Sequence, residues 1–228
     1  MDDSLSVILP VFNEEKNIKS VLRAIFGHIP EYIKDFEVIA INDGSSDNTG
    51  AVLDGIKRSF ENLNIVSHDK NRGYGYALRS GIMASDKEWV LIMDSDGQFK
   101  IDDLKELWMK KGGDDFILGF RKKRNDNPIR SFLGRAGNVT ASLLLRRRIK
   151  DINCGFKLFK RRELQEISLC SSGGIISFEI LYRLFKAGKD KFEQYPVDHY
   201  PRKYGTQTGG AFNTVIKIIY EGTRILIK

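Results

Sequence analysis

The chain has 228 residues, 41% hydrophobic and 29% charged, with a formal net charge of +7, a globular composition too apolar for a disordered chain. Two cysteines, Cys154 and Cys170, without a CxxC exclude a disulfide framework and point to a reducing compartment. Three dispersed histidines, His28, His68 and His199, exclude an HxxH-type metal pair, and no apolar run approaches the ~18–20 residues of a bilayer span.

In chain order, Leu5–Leu9 is a short apolar run ended by Pro10 and predicts a buried strand. Glu14–Phe26 follows, with Ile18, Val21, Leu22 and Ile25 at helical spacing. Phe36–Ile41 predicts a second strand, stopped by the turn and cap cluster Asn42–Asp47, and a helix then covers Asp47–Phe60. Leu63–Ser67 predicts a third strand, Gly73–Ala84 a helix and Trp89–Met93 a fourth strand ending at Asp94-Ser95-Asp96-Gly97. Ile101–Lys110 reads as a helix and Phe116–Phe120 as a fifth strand. Continuous apolar strands separated by helices predict an α/β fold, a mainly parallel sheet covered on both faces.

The second half is less regular. Ile129, Phe132, Leu133, Ala136, Val139, Leu143 and Leu144 fall near one helical face, with Arg130 and Arg135 among them and Arg146-Arg147-Arg148 closing the segment. Gly155–Phe159 reads as a strand, Ser177–Ala187 as a helix and Phe192–Tyr200 as extended chain. Amphipathic helices are thus expected at about 129–147 and 212–227, and without a linker residues 1–228 are expected to form one domain. Charge divides the chain as well. Residues 1–120 carry net −7, residues 121–150 net +9 with Asp126 as their one acid, and residues 151–228 net +5. The abrupt basic tract from Arg121 onward suits phosphates, nucleic acid or an anionic membrane, or is a solvated face. The acidic opening Met1-Asp2-Asp3-Ser4 lacks the pattern of a secretory leader.

In open α/β sheets ligands bind at the carboxyl ends of the strands. Pro10–Glu14, Asn42–Asp47 and Asp94–Gln98 all sit there, so topology gathers them at one edge. Asp94 and Asp96 are spaced to offer hard oxygen ligands to Mg²⁺ or Mn²⁺ with Gln98 as a neutral third, or else form an acidic turn around Gly97. Asn42–Asp47 can hold a base or ribose, or simply cap a helix. Phe12 can pack on a base and Glu14 accept from a sugar or base, or the segment is a cap with a hydrophobic staple. Asn71–Ala77 contains GxG, but Leu78 occupies the third glycine's place and the loop does not follow the first strand, which excludes a dinucleotide fingerprint. There is no GxxxxGK[ST] or GxSxG, and Asn138-Val139-Thr140 is a chance sequon in a helix.

PVFNE (10–14), NDGSSDNT (42–49), NRGYGYALRSG (71–81) and DSDGQ (94–98), in this order, resemble family 2 glycosyltransferases of the GT-A fold, a Rossmann-like domain. The resemblance implies a nucleotide-sugar donor and a divalent metal, Mg²⁺ or Mn²⁺. It implies that Asp43 reads the base, with Pro10, Val11, Phe12, Glu14, Asn71, Gly75 and Ser95 in the donor site. It places Asp94 near ribose and metal, Asp96 on the metal and Gln98 as a further ligand. DINCGFKLF (151–159) and HYPRKYGT (199–206) resemble polyprenyl-phosphate hexose synthases of the dolichyl-phosphate mannose and glucose types. That likeness implies an acceptor phosphate bound by Arg121, Arg202 and a helix arginine, Arg135 in preference to Arg130. Asp151 then orients the acceptor or a sugar hydroxyl, or caps a turn. The chain departs from the pattern in having Phe12 for the usual Tyr, no QxxRW and a single acid, Glu179, where hydroxyl-directed relatives carry an acidic pair.

A phosphate acceptor is already ionised and needs cations to position it rather than a strong base, which the basic second half supplies. An apolar helix face flanked by arginines also suits a membrane interface. The expectation is therefore an inverting, metal-dependent enzyme moving mannose or glucose from GDP-mannose or UDP-glucose to a polyprenyl or dolichyl phosphate. It would sit on the cytoplasmic face of an anionic membrane, alone or with a small membrane-anchoring subunit. The alternatives are a sugar-hydroxyl acceptor in glycan synthesis, and a nucleic-acid-binding module. The latter leaves the strand-end carboxylates unexplained, so no nucleic-acid partner is expected.

Overall fold

The computed structural model describes residues 3–113, 115–122, 128–205 and 225, and for residues 128–133 the backbone alone. The chain runs through β1 (Ser4–Val11), α1 (Ile18–His28), β2 (Asp35–Asn42), α2 (Thr49–Lys57), β3 (Leu63–Ser67), α3 (Tyr74–Ala84) and β4 (Trp89–Met93). It continues through α4 (Asp103–Lys110), β5 (Phe116–Arg121), α5 (Pro128–Leu145), β6 (Phe156–Lys160), α6 (Arg161–Gln165), α7 (Ile176–Lys186) and β7 (Phe192–Val197).

Side chains alternate across a strand. In β1, Leu5, Val7, Leu9 and Val11 enter one apolar layer and Ile8 the other; in β2, Val38 and Ala40 part from Ile39 and Ile41 in the same way. Because both faces are covered, the strands read as unbroken apolar runs. Helices α1, α2 and α4 cover the first face with Leu22, Ile25, Leu53, Leu104 and Leu107. Helices α3, α5 and α7 cover the second with Leu78, Ile82, Leu145, Ile180 and Leu184. Each such side chain contributes roughly 1.5–3 kcal/mol by leaving water.

The seven strands are ordered β3-β2-β1-β4-β6-β5-β7. All neighbours are parallel except β6, which runs antiparallel to both β4 and β5. The α/β, mainly parallel sheet is therefore as expected, and β6 is the strand read from Gly155–Phe159. Since β2 and β4 flank β1 on opposite sides, the order reverses there and a crevice opens between the carboxyl ends of β1 and β4.

The second half differs in detail from its sequence pattern. Helix α6 was not signalled, being a five-residue turn with no room for periodicity. The sequon residue Asn138 is in structural use: its Nδ2 donates to Lys150 O at 2.8 Å and its Oδ1 accepts from Ile152 N at 3.0 Å, tying α5 to the segment before β6. Val139, Leu143 and Leu144 on α5 are exposed. Among the described residues no helix is long and apolar enough to cross a membrane. The helix expected at 212–227 lies outside the described residues except for Ile225, which is buried in the second layer.

Candidate active site at the carboxyl edge of the sheet

The loops after β1 and β2 fasten to each other residue by residue. Asp43 N donates to Val11 O at 2.9 Å, Asn13 N to Ser45 Oγ at 3.0 Å, and Ser46 N to Asn13 Oδ1 at 2.8 Å. Glu14 N donates to Thr49 Oγ1 at 2.9 Å and Asn48 N to Glu15 Oε2 at 3.0 Å. Asn13 takes a positive φ of 55°, which a short polar side chain tolerates best. PVFNE and NDGSSDNT are thus one structural unit. Val11 is buried beneath it, and Phe12 keeps 36% of its surface exposed at the rim.

Asp43 itself is buried, and its carboxylate accepts from three donors on the segment after β3. His68 Nδ1 reaches Oδ1 at 2.6 Å, Arg72 N reaches Oδ1 at 3.0 Å and Gly73 N reaches Oδ2 at 2.8 Å. Gly73 has φ +95°, in the region that favours glycine. Gly75 N donates to Ser172 O at 2.9 Å, seating the loop that carries Asn71 on the 170–173 segment. That segment is held in turn by Glu179, which accepts from Cys170 N at 2.9 Å, Ser171 N at 2.8 Å and Arg183 Nε at 2.9 Å. Burial alone would raise the carboxyl of Glu179, but these bonds outweigh it and hold the group below the ordinary range.

Asp94 and Asp96 leave the end of β4. Ser95 between them is turned inward, its Oγ donating to Pro10 O at 2.6 Å, which locks the β4 end to β1. Asp94 accepts from Tyr74 OH at 3.0 Å, and its N donates to Gly155 O at 3.0 Å. A Cβ on Gly155 would run into the Asp94 carboxylate, so any larger residue there displaces Asp94. Burial, then the charge of Asp96, pushes the Asp94 carboxyl up to about 7. Asp96 Oδ1 accepts from Gln98 N at 3.0 Å. Gln98 is clasped to the segment after β7, with Nε2 donating to Tyr200 O at 3.0 Å and its O accepting from Tyr200 N at 2.8 Å.

A hard divalent cation fits this site. The donors are oxygens, and two neighbouring carboxylates, one of them driven toward protonation by burial and then by the charge of the other, are relieved by a cation between them. Among the described residues no three His, Cys, Asp or Glu side chains cluster to hold a metal, so a cation on Asp94 and Asp96 would complete its shell with neutral oxygens and ligand phosphates.

The second half brings arginines to these acids. Arg202 Nη2 donates to Glu14 Oε1 at 2.5 Å, its Nη1 reaches Asp96 Oδ2 at 3.4 Å, and its Nε donates to Tyr204 O at 2.6 Å. Asn17 Nδ2 completes the clasp, donating to Glu14 Oε2 at 2.7 Å and Tyr204 O at 3.2 Å. Burial raises the carboxyl of Glu14, opposed by Asn17 and Arg202. Arg121 forks onto Asp151, Nε to Oδ2 at 2.6 Å and Nη2 to Oδ1 at 2.9 Å, with Asp151 buried and Arg121 partly so. Arg135 lies apart from these pairs. It is exposed on α5 and lines an open groove of about 620 Å³ with Val139, Arg146, Arg147, Arg148 and Lys150. The side chain of Arg130 lies outside the described residues.

Three side chains at the site carry no role in the sequence reading. Tyr74 holds Asp94, His68 holds Asp43, and Lys157 is buried in β6 with Nζ donating to Cys154 O at 2.5 Å and Ser177 Oγ at 3.3 Å. Burial lowers the pKa of Lys157. A signal existed for Lys157, a charge inside the apolar run Phe156–Phe159, because a lysine in a buried strand needs a reason to be there.

Comparison with known proteins places this arrangement in a family. Residues 6–185 match glycosyl transferase family 2. A dolichyl-phosphate beta-glucosyltransferase of Trichomonas vaginalis is 31% identical over 173 residues, 68% of this chain and 51% of that protein. A second from the same organism is 32% identical over 177 residues, covering 72% and 55%. The chain thus spans about half the length of these curated relatives. Glucosyl-3-phosphoglycerate synthase from Mycobacterium tuberculosis, solved with Mn²⁺, uridine diphosphate and glucosyl-3-phosphoglycerate, superposes with a TM-score of 0.73 at 18% identity, over 98% of this chain and 78% of that one. The shared α/β architecture and the match over residues 6–185 make this chain a member of glycosyl transferase family 2 with the GT-A fold.

Proposed function

We propose that the chain transfers a hexose from a nucleotide sugar to a polyprenyl phosphate at a membrane surface, with inversion at the anomeric carbon. The observation that carries this reading is the state of the second-half acids. Glu179, the acid a hydroxyl-directed enzyme would use as base, is wholly buried and taken up by Cys170, Ser171 and Arg183. Asp151 is forked onto Arg121. An acceptor that arrives ionised needs neither. The names of the relatives favour glucose as the sugar.

In this reading Pro10, Val11, Phe12, Glu14, Asp43, Asn71, Gly75 and Ser95 form the donor site. Asp94, Asp96 and Gln98 would hold Mg²⁺ or Mn²⁺, which when bound offsets the charge of the leaving diphosphate. Arg202, already beside Asp96, and Arg121, held by Asp151, counter the repulsion between the donor diphosphate and the incoming phosphate. A phosphate oxygen of the acceptor forms its bond to the anomeric carbon as the bond to the diphosphate breaks on the opposite face. Arg135, Arg146, Arg147, Arg148 and Lys150 beside the exposed Val139, Leu143 and Leu144 suit an anionic bilayer surface.

The test offers one radiolabelled nucleotide-glucose with Mn²⁺ to three acceptors, a short-chain polyprenyl phosphate, 3-phosphoglycerate and free saccharides. Label is expected in the lipid. Label in phosphoglycerate keeps the anionic acceptor but removes the membrane, and label in saccharides alone overturns the reading. Activity that appears only after adding a membrane fraction points to an anchoring subunit.

A further inference from the structure

Asp43 is the carboxylate assigned to the base of the donor, and its surroundings are unusually complete. A carboxylate only accepts, so the Nδ1 of His68, 2.6 Å from Asp43 Oδ1, carries the proton of the ring. The other nitrogen, Nε2, lies 2.9 Å from Ser80 Oγ, and in a neutral ring it accepts the hydroxyl proton. Ser80, His68 and Asp43 therefore form a directed chain from α3 to the mouth of the sheet, with the His68 and Asp43 side chains 7% and 4% exposed. Helix α3 starts with Tyr74, the donor to Asp94. One helix thus sets both the carboxylate assigned to the base and a carboxylate assigned to the metal.

We infer that His68, oriented by Ser80, is the positioning residue that presents Asp43 to the base of the donor. This rests on the donor reading above and adds the residue that makes the base contact selective. A carboxylate has about four in-plane acceptor positions. His68 and Arg72 N occupy both on Oδ1, and Gly73 N occupies one on Oδ2. One position remains, on Oδ2. A base that offers a single N–H between two carbonyls, as uracil does, satisfies it. Guanine presents two adjacent N–H groups that need one acceptor on each oxygen, and Oδ1 is already full. Without the His68 bond one position on Oδ1 reopens and the carboxylate is held by Arg72 N and Gly73 N alone, so both affinity and selectivity fall.

The experiment measures binding by titration calorimetry with Mn²⁺ present, without any acceptor. The probes are UDP, GDP and ribose 5-diphosphate, which carries sugar and phosphates but no base. Wild type should bind UDP more tightly than GDP. His68→Leu, which keeps the bulk and loses the donor, should weaken UDP about tenfold, as expected for a hydrogen bond to a buried charged group. It should leave ribose 5-diphosphate within about twofold, smaller than the loss of even a weak hydrogen bond. His68→Asn restores a short N–H donor and should recover most of the UDP affinity, and turnover assays should place the defect in the donor KM rather than kcat. Ser80→Ala, at the outer end of the chain, should give a weaker loss of the same kind and serves if His68→Leu does not fold. Equal weakening of UDP and ribose 5-diphosphate, no weakening of either, or a wild type that prefers GDP overturns the inference. A wild type that binds no nucleotide overturns the donor reading with it, whereas the acceptor competition bears on neither.

Discussion

The acidic first half and the basic second half are built on opposite terms. In the first, carboxylates at the carboxyl edge of the sheet are gripped by nearby backbone N–H groups: Asp43 by Arg72 and Gly73, Asp47 by Thr49 and Glu15, Asp96 by Gln98. In the second, arginines are gripped by side-chain carboxylates: Arg121 by Asp151, Arg183 by Glu179, Arg202 by Glu14 and Asp96. Backbone donors at strand ends are rigid and stay put when a ligand arrives. Side-chain ion pairs can exchange partners, since a phosphate competes directly for the same guanidinium. On the proposed function the acids are a preset receptor, and the arginines are cations held in reserve against them.

The sharpest way to break the preset half is at Gly155. Gly155→Ala places a methyl group against the Asp94 carboxylate, which is also fixed by Tyr74, so Asp94 must move. A displacement of about 1 Å at such a site costs on the order of 100-fold in rate. Transfer activity should fall by that much and Mn²⁺ binding should weaken, while the far-ultraviolet circular dichroism stays that of wild type. Unchanged kinetics would separate Asp94 from the chemistry.

Next in size is Glu179, where the two terms meet. Its carboxylate is gripped by Cys170 N and Ser171 N as well as by Arg183, and through the 170–173 segment it seats Gly75. Glu179→Gln sets an amide among donors and should cost ~1–3 kcal/mol of stability near pH 7. The sign with pH follows from the lowered carboxyl. The stability Glu179 contributes is present above its ordinary value of 4.5 and is lost as the pH falls through its lower folded value. The gap in urea midpoint between wild type and variant should therefore narrow on going from pH 7 into the acid range below 4.5. A gap that widens there contradicts the assignment.

The same contrast explains what could be read from the sequence. β1 to β5 and the clusters at their ends were legible because each is a local run: an apolar stretch, then Pro10–Glu14, Asn42–Asp47 or Asp94–Gln98. The partners were not. Glu14 and Arg202 are 188 residues apart, and Asp43 and His68 are 25 apart. Nothing in composition or period marks two positions as neighbours across a sheet. Tyr74 sat inside a recognised motif yet had no visible task until β4 placed Asp94 within 3.0 Å of its hydroxyl. The direction of β6 was hidden for the same reason, because an apolar run carries no sign of which way it lies between β4 and β5.

Smaller and opposite effects are expected at Arg202. The guanidinium of Arg202 lies beside Asp96. Arg202→Met removes that competitor, so Mn²⁺ affinity should rise about fivefold, the scale of one weak charge-assisted bond. Transfer should slow, because the same cation is lost from the leaving diphosphate. Calorimetric titration of Mn²⁺ with and without nucleotide, set beside initial rates, tests both directions. A fall in metal affinity would mean that Arg202 organises the carboxylates instead of shielding them.

The least disturbing change lies where the basic half meets solvent. Leu143 on α5 is 73% exposed, beside Leu144 and the arginines that line the α5 groove. Leu143→Ser removes little that the fold uses, and its unfolding free energy should stay within ~0.5 kcal/mol of wild type. If this face rests in a bilayer, partial burial of one leucine is worth a fraction of ~1.5–3 kcal/mol. Partition onto vesicles containing anionic lipid should then fall about threefold, close to the ~0.8 kcal/mol transfer of one CH₂, and raising salt should weaken wild type and variant alike through the arginines. Equal partition of the two proteins would move the membrane contact away from α5. The reserve of arginines would then serve the acceptor phosphate alone.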